Sequence, residues 1–124
     1  MNIALWLVQI LLALAFIVAA YGHTVRYDEN RQARMAWLNA VPRNAMLVIG
    51  TLELLGGIGL VLPAATRVLP VLTPLAAACF VVLMLLAAIF HATRREYPNI
   101  VFNAALGLVA AFVAYGRFVL EPIT

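Results

Sequence analysis

Polar residues divide this chain into four long apolar segments. Each segment is 19 to 21 residues long and is bounded by short stretches that carry Arg, Pro, Asn or acidic side chains. An α-helix rises about 1.5 Å per residue, so each segment is long enough to cross the ~30 Å hydrocarbon core of a bilayer. The pattern predicts four transmembrane helices, at residues 3–21, 44–62, 71–90 and 100–120.

The connection between the first two spans predicts a short helix of its own. Apolar residues recur there at helical spacing and arginines fall on the opposite face: Ala33, Trp37, Leu38 and Val41 against Arg31 and Arg34. Asp28 is a suitable N-cap and Pro42 ends the pattern, which is typical of a helix lying in the membrane interface. After the second span, Pro63 is expected to open a turn that ends at Pro70.

The expected fold is therefore all-α: a four-helix transmembrane bundle with a short interfacial helix between spans 1 and 2. It forms a single integral membrane domain over residues 1–124. Composition supports this prediction, because 66% of the residues are hydrophobic and only 10% are charged, whereas soluble domains are nearer 45–50% and 25%. These values exclude a separate soluble domain and a nucleic-acid-binding surface. The single Cys79 excludes an internal disulfide or dithiol.

The distribution of arginine predicts the orientation of the bundle. The loops after spans 1 and 3 carry six of the eight arginines, whereas the connection between spans 2 and 3 and the C-terminal end carry two. Loops rich in Lys and Arg stay in the cytoplasm. Both termini are therefore expected outside the cytoplasm.

Glu53 is the residue that departs most from this apolar pattern. It lies at the midpoint of the second span, where insertion of a carboxylate costs about 3 kcal/mol or more. Gly50 and Gly57 lie on the same helical stripe, and small residues allow close helix packing in lipid, so Glu53 should face the bundle interior. Its role is either functional, as a proton or ligand site, or structural, in fixing the helix register.

Other polar residues are predicted to lie in the same half of the bundle. His91 ends the third span, Asn103 lies one turn into the fourth, and His23 follows the first. A cavity open to the cytoplasm could connect them with Glu53. Their structural alternatives are interfacial positions for the histidines and an interhelical hydrogen bond for Asn103. Gln9, the only polar side chain inside the first span, has the same alternative.

The sequence contains no metal-ligand cluster, nucleophile–base pair or phosphate-binding loop. Two histidines on different helices have no spacing that supports haem, so haem is not expected. With no complete catalytic or cofactor motif, the sequence leaves open whether the protein is an enzyme.

Several short motifs resemble the DoxX-like family of small, mostly bacterial, four-helix membrane proteins. They are GTLELLGGIGLVLP in span 2, LTPLAA at the start of span 3, His followed by Arg-Arg, an Asn in span 4 and Gly-Arg near its end. The resemblance covers Ala4 to Arg117 and is most specific between Gly50 and Pro63. One departure is that many members have Gly-x-x-Lys after span 1, where this chain has GHTVR.

The resemblance implies a multi-pass protein of the bacterial inner membrane and adds Arg117 to the candidate residues. The ligand or proton-relay candidates are Glu53, His91 and Asn103, with Gln9, His23 and Arg117 as secondary candidates. The family takes its name from a membrane subunit linked to thiosulfate:quinone oxidoreduction, and other members are associated with redox-stress complexes or membrane-protein assembly. Fold transfers between relatives better than function does.

Three functions follow as hypotheses. The first is a redox- or quinone-linked membrane subunit of a larger oxidoreductase, with a lipidic-ligand pocket around Glu53 that takes a quinone or a lipid. The second is a non-catalytic scaffold or assembly factor, and the third is a small proton-coupled transporter. The expected partners are membrane lipids, a partner oxidoreductase or other membrane protein, and a second copy of the chain, but no nucleic acid.

Overall fold

A computed structural model describes residues 1–123, and all of the regular structure in that range is helical. The helices are α1 (Asn2–Thr24), α2 (Tyr27–Arg31), a 3-10 turn (Ala36–Ala40), α3 (Arg43–Thr66), α4 (Leu72–Thr93) and α5 (Tyr97–Tyr115), which continues as a π-helical turn (Gly116–Leu120). Four of these are long and apolar enough to cross a membrane: α1, α3, α4 and α5 with its π-helical turn. The predicted all-α, four-helix bundle with a short helix between spans 1 and 2 is confirmed.

The four long helices pack mainly as two pairs, α1 with α3 and α4 with α5, and α3 joins the pairs through α4. Phe16 and Phe80 stack at the centre with their ring centroids 3.6 Å apart. Most large apolar side chains are exposed instead, as expected for helices whose outer faces contact lipid. Two ends of the bundle can be distinguished: the α2 end, which carries α2 and the 3-10 turn, and the terminal end, which carries Asn2 and Leu120.

Small residues bring α1 and α3 close together. A Cβ atom on Gly57 would lie 2.8 Å from Ile17 Cγ1, and one on Gly50 would overlap Thr24 Cγ2. Any larger residue at either position would therefore push α3 away from α1. Glu53 lies between these glycines and is 2% exposed, so the predicted inward orientation of this stripe is confirmed.

The segment between α1 and α3 differs from the prediction. It forms two short helical pieces, α2 and the 3-10 turn, rather than one helix. Tyr27 and Leu38 are buried together with Met46, and the Tyr27 hydroxyl donates to the backbone oxygens of Leu38 (3.2 Å) and Val41 (3.0 Å). These tertiary contacts require the chain to bend between the two pieces, so they override the helical periodicity.

Asp28 does not act as the predicted N-cap, because α2 has no side-chain cap. Its carboxylate instead accepts hydrogen bonds from Arg31 Nε and Arg43 Nη1, each at 3.0 Å. The bond from Arg43, followed by that from Arg31, holds the pKa of Asp28 below its ordinary value of 3.8. Asp28 thus ties α2 to the start of α3.

The predicted turn at Pro63 is wrong, because α3 continues through this residue to Thr66. Proline has no N–H to donate to the carbonyl of Gly59, four residues earlier. The buried hydroxyl of Thr73 on α4 donates to that carbonyl at 3.1 Å. A contact from a neighbouring helix thus replaces the missing hydrogen bond, and α3 ends four residues later than predicted.

Replacing Thr73 by Val should destabilise the bundle by about 1 to 2 kcal/mol, because the Gly59 carbonyl loses this donor inside the protein. The measurement is reversible unfolding in mixed detergent micelles.

Thr51→Val is the matched control. The exposed Thr51 hydroxyl donates to Leu47 O of its own helix at 2.7 Å, so its loss should change the free energy of unfolding by about 0.5 kcal/mol or less. Equal losses in the two variants would contradict the role assigned to Thr73.

Acid should loosen α2. A carboxyl group with a lowered folded-state pKa contributes stability above its unfolded pKa, and this contribution is lost as the pH falls through the folded value. For Asp28 the contact is complete above about pH 4 to 5 and is lost below 3.8. Trp37 fluorescence in a Trp6→Phe background would follow this change, since Trp37 lies in the same segment.

Asp28→Asn should produce the acid-type emission of Trp37 already at neutral pH. Glu29→Gln is the control, because within residues 1–123 Glu29 forms an ion pair only with its exposed neighbour Arg26. An Asp28→Asn variant with the wild-type acid profile would refute the tie between α2 and α3.

Candidate proton-exchange site

Glu53 lies against His23, the histidine at the end of α1. Glu53 Oε1 is 2.7 Å from His23 Nδ1, and the two side chains are 3% and 14% exposed. The close packing of α1 on α3 at Gly50 explains this contact, because it brings the last turn of α1 over the middle of α3. The carboxylate predicted to face the interior thus has an ionisable partner.

The contact can hold one proton in either of two places. The imidazole N–H can donate to a carboxylate, or a carboxylic acid O–H can donate to the unprotonated ring nitrogen, with the same atoms in contact. Histidine changes charge near neutral pH, and it is a common proton shuttle for that reason. The pair is therefore suited to passing a proton between the buried carboxyl group and the α2 end of the bundle.

Trp37 lies between the two histidines of the bundle. Its ring centroid is 5.4 Å from that of His23 and 5.1 Å from that of His91, and both contacts are edge-to-face. Trp37 belongs to the 3-10 turn and is half-buried. The segment between α1 and α3 therefore places one aromatic side chain against both imidazoles, and limits the route by which water or a ligand can reach them.

His91 has its own carboxylate partner. Its Nδ1 atom is 2.8 Å from Glu96 Oε1, and Arg94 Nε donates to the same oxygen at 3.1 Å. The His91 side chain is 5% exposed and that of Glu96 is 26% exposed. The structure thus places His91 beside Glu96 rather than Glu53, and forms two histidine–carboxylate pairs joined by Trp37.

The remaining predicted residues lie apart from this cluster. Asn103 is buried on α5, but its side chain forms no hydrogen bond with any residue in 1–123. Gln9 and Arg117 meet near the terminal end, where Arg117 Nε donates to Gln9 Oε1 at 2.5 Å. Gln9 Nε2 in turn donates to Leu60 O of α3 at 2.7 Å, which is the interhelical bond expected for Gln9.

Trp37 and Glu96 are absent from the set of site residues predicted from the sequence. The apolar spacing around Trp37 predicted a helix in the membrane interface, but not which side chains Trp37 contacts. Glu96 follows His91 by five residues in a polar loop, and that spacing is the one signal by which it could have been found.

Two surface clefts lie away from Glu53. One, of about 280 Å³, lies on α3 and is lined by Leu47, Val48, Thr51 and Leu52. The other, of about 170 Å³, lies at the terminal end beside Arg117. Neither is lined by Glu53, and within residues 1–123 no three His, Cys, Asp or Glu side chains are grouped to hold a metal ion.

The family model of the DoxX-like family matches residues 7–113, which is most of the chain. No curated protein and no solved structure matches the sequence.

A double-mutant cycle should show that His23 and Glu53 act as a pair. His23→Phe keeps an aromatic ring against Trp37 but leaves Glu53 buried without its partner, and should cost about 3 kcal/mol. Glu53→Leu should lower the free energy of unfolding by less, because the residue left without its partner, His23, is nearer the surface. The double variant should lose less than the sum of the two, with a coupling of about 1 to 2 kcal/mol in reversible unfolding.

Glu96→Leu provides the comparison, since Glu96 is half-buried and should cost about 1 kcal/mol or less. Strictly additive losses for His23→Phe and Glu53→Leu would show that the contact contributes nothing to stability.

Proposed function

We propose that this chain, which belongs to the DoxX-like family, is a proton-exchanging membrane subunit of a redox system that acts on a quinone-like lipidic ligand. One observation carries the proposal: a carboxyl oxygen inside a membrane-spanning helix lies 2.7 Å from an imidazole nitrogen, within hydrogen-bond distance. Intramembrane ionisable residues of this kind are typical of proton relays.

The position of the pair supports proton exchange between the α2 end and the membrane interior. Glu53 lies ten residues into α3, about 15 Å from the start of the helix at Arg43. His23 is nearer the surface, where its side chain is 14% exposed. A proton taken up by His23 thus needs one transfer to reach the membrane interior.

Reduction of a quinone needs protons, which such a relay would deliver. Reduction of a quinone to a quinol takes up two electrons and two protons at its ring oxygens. The electrons would come from a partner oxidoreductase, because this chain has no redox-cofactor motif. The ligand would meet the relay through His23 and the edge of Trp37, since Glu53 itself is enclosed.

The expected setting is the bacterial inner membrane, with both termini outside and the α2 end in the cytoplasm. The positive-inside rule supports this orientation, because Arg26, Arg31, Arg34 and Arg43 lie in the α2 segment, and Arg94 and Arg95 lie beside it. Protons would then be drawn from the cytoplasmic side.

Infrared spectroscopy tests proton exchange directly. In the wild type, the carbonyl stretch of protonated carboxylic acids should rise and fall with pH, and the component from Glu53 should be missing in Glu53→Gln. His23→Phe should retain the band but slow its response to a pH jump by about tenfold or more, since the shuttle is removed. Glu96→Gln should behave as wild type.

Native mass spectrometry on protein gently extracted from its membrane tests the redox link. A quinone bound to wild type and to Glu96→Gln, but lost from His23→Phe, would support the proposal. Protein that carries no quinone, but retains the same partner polypeptide in wild type and Glu53→Gln, would indicate a scaffold instead.

A further inference from the structure

Arg117 is a buried cation at the terminal end of the bundle. It is 3% exposed and lies in the π-helical turn that follows α5. Its Nη1 atom donates to Asn2 Oδ1 at 2.8 Å and to Glu121 O at 2.9 Å, and its Nε atom donates to Gln9 Oε1. All of these acceptors are neutral.

The charge of Arg117 is only partly balanced, by the electrostatic attraction of Glu121 and by the Trp6 ring, whose centroid lies 5.6 Å from the guanidinium carbon. No carboxylate in residues 1–123 forms an ion pair with this guanidinium. Its Nη2 atom is buried and has no hydrogen-bond acceptor in that part of the chain. A buried charge without an ion-pair contact is costly, and most of all in a membrane protein, so this group favours an anion as its partner.

A pocket of about 170 Å³ lies beside Arg117. It is lined by Asn2, Trp6, Ala64, Arg67, Arg117 and residues 121–123. At ~30 Å³ for each water molecule, the pocket has the volume of five or six waters. It can admit a small oxyanion group.

Arg67 adds a second positive charge to this pocket, from an unusual backbone position. It ends α3 in the left-handed conformation, with φ 60° and ψ 20°, where glycine is the usual residue. Arginine gains nothing from this conformation, and the backbone would be less strained with glycine.

We infer that this pocket binds a phosphate group, either the headgroup of an anionic phospholipid or free inorganic phosphate. Guanidinium groups suit phosphate oxygens, and two arginines, Arg67 and Arg117, line the pocket together with Asn2 and Trp6. The bundle end lies at the level of lipid headgroups. This site is at the opposite end from His23 and Glu53 and is independent of the proposed relay.

The carboxylate of Glu121 also lines the pocket and opposes an anion there. Its negative charge should lower the affinity of the pocket for phosphate. Removing that charge in Glu121→Gln should therefore tighten phosphate binding several-fold. Arg67→Gly should weaken binding about tenfold or more, yet leave the melting temperature unchanged or raised, because glycine suits the left-handed position. The melting temperature therefore distinguishes a variant that has lost phosphate binding from one that no longer folds.

Arg95 supplies a matched control. It is exposed and has a positive φ of 57°, but it lies at the α2 end. Arg95→Gly removes the same charge and relieves the same backbone conformation, and it should leave phosphate binding unchanged.

Two probes distinguish the sources of phosphate. Calorimetric titration with inorganic phosphate measures the free anion, and native mass spectrometry from nanodiscs counts phosphatidylglycerol against phosphatidylcholine retained on the protein. Binding in either assay that falls in Arg67→Gly but not in Arg95→Gly supports the site, and the assay that responds identifies the source. Absence of binding in both, or equal loss in the two Gly variants, overturns it.

Discussion

The close packing of α1 on α3 is the constraint on which the rest of the structure depends. Gly50 and Gly57 leave no room for a side chain between the two helices. The same contact buries Glu53 and brings His23 to it, so one packing requirement produces both the fold and the candidate relay. In lipid, where apolar burial gives little drive for association, such shape complementarity determines which helices pair.

Polar groups inside the bundle are satisfied between helices rather than within them. Thr73 replaces the hydrogen bond that Pro63 removes from α3, and Gln9 joins α1 to the carbonyl of Leu60. A membrane interior offers no water to an unpaired group, so each of these contacts also fixes the register of two helices. Two residues are exceptions among residues 1–123: the buried Asn103 side chain forms no hydrogen bond, and Arg117 Nη2 has no hydrogen-bond acceptor.

The two ends of the bundle therefore differ in chemistry. The α2 end pairs each histidine with a carboxylate and covers both imidazoles with Trp37. At the terminal end, Arg67 and Arg117 both line a small pocket. Proton exchange suits the first arrangement and anion binding the second, so the two activities would be carried out at opposite faces of the membrane.

The sequence alone determined the four spans, the inward orientation of Glu53 and the family, because hydropathy and the spacing of small residues are local signals. Only the tertiary structure decided that Glu53 contacts His23 and that His91 contacts Glu96. Several polar side chains lie at a similar depth in the membrane, and the rotation of each helix about its axis decides which of them come into contact. It also decided that α3 continues past Pro63. A hydroxyl group of α4 donates the hydrogen bond that the proline cannot donate. The sequence of α3 alone does not show that another helix supplies this donor.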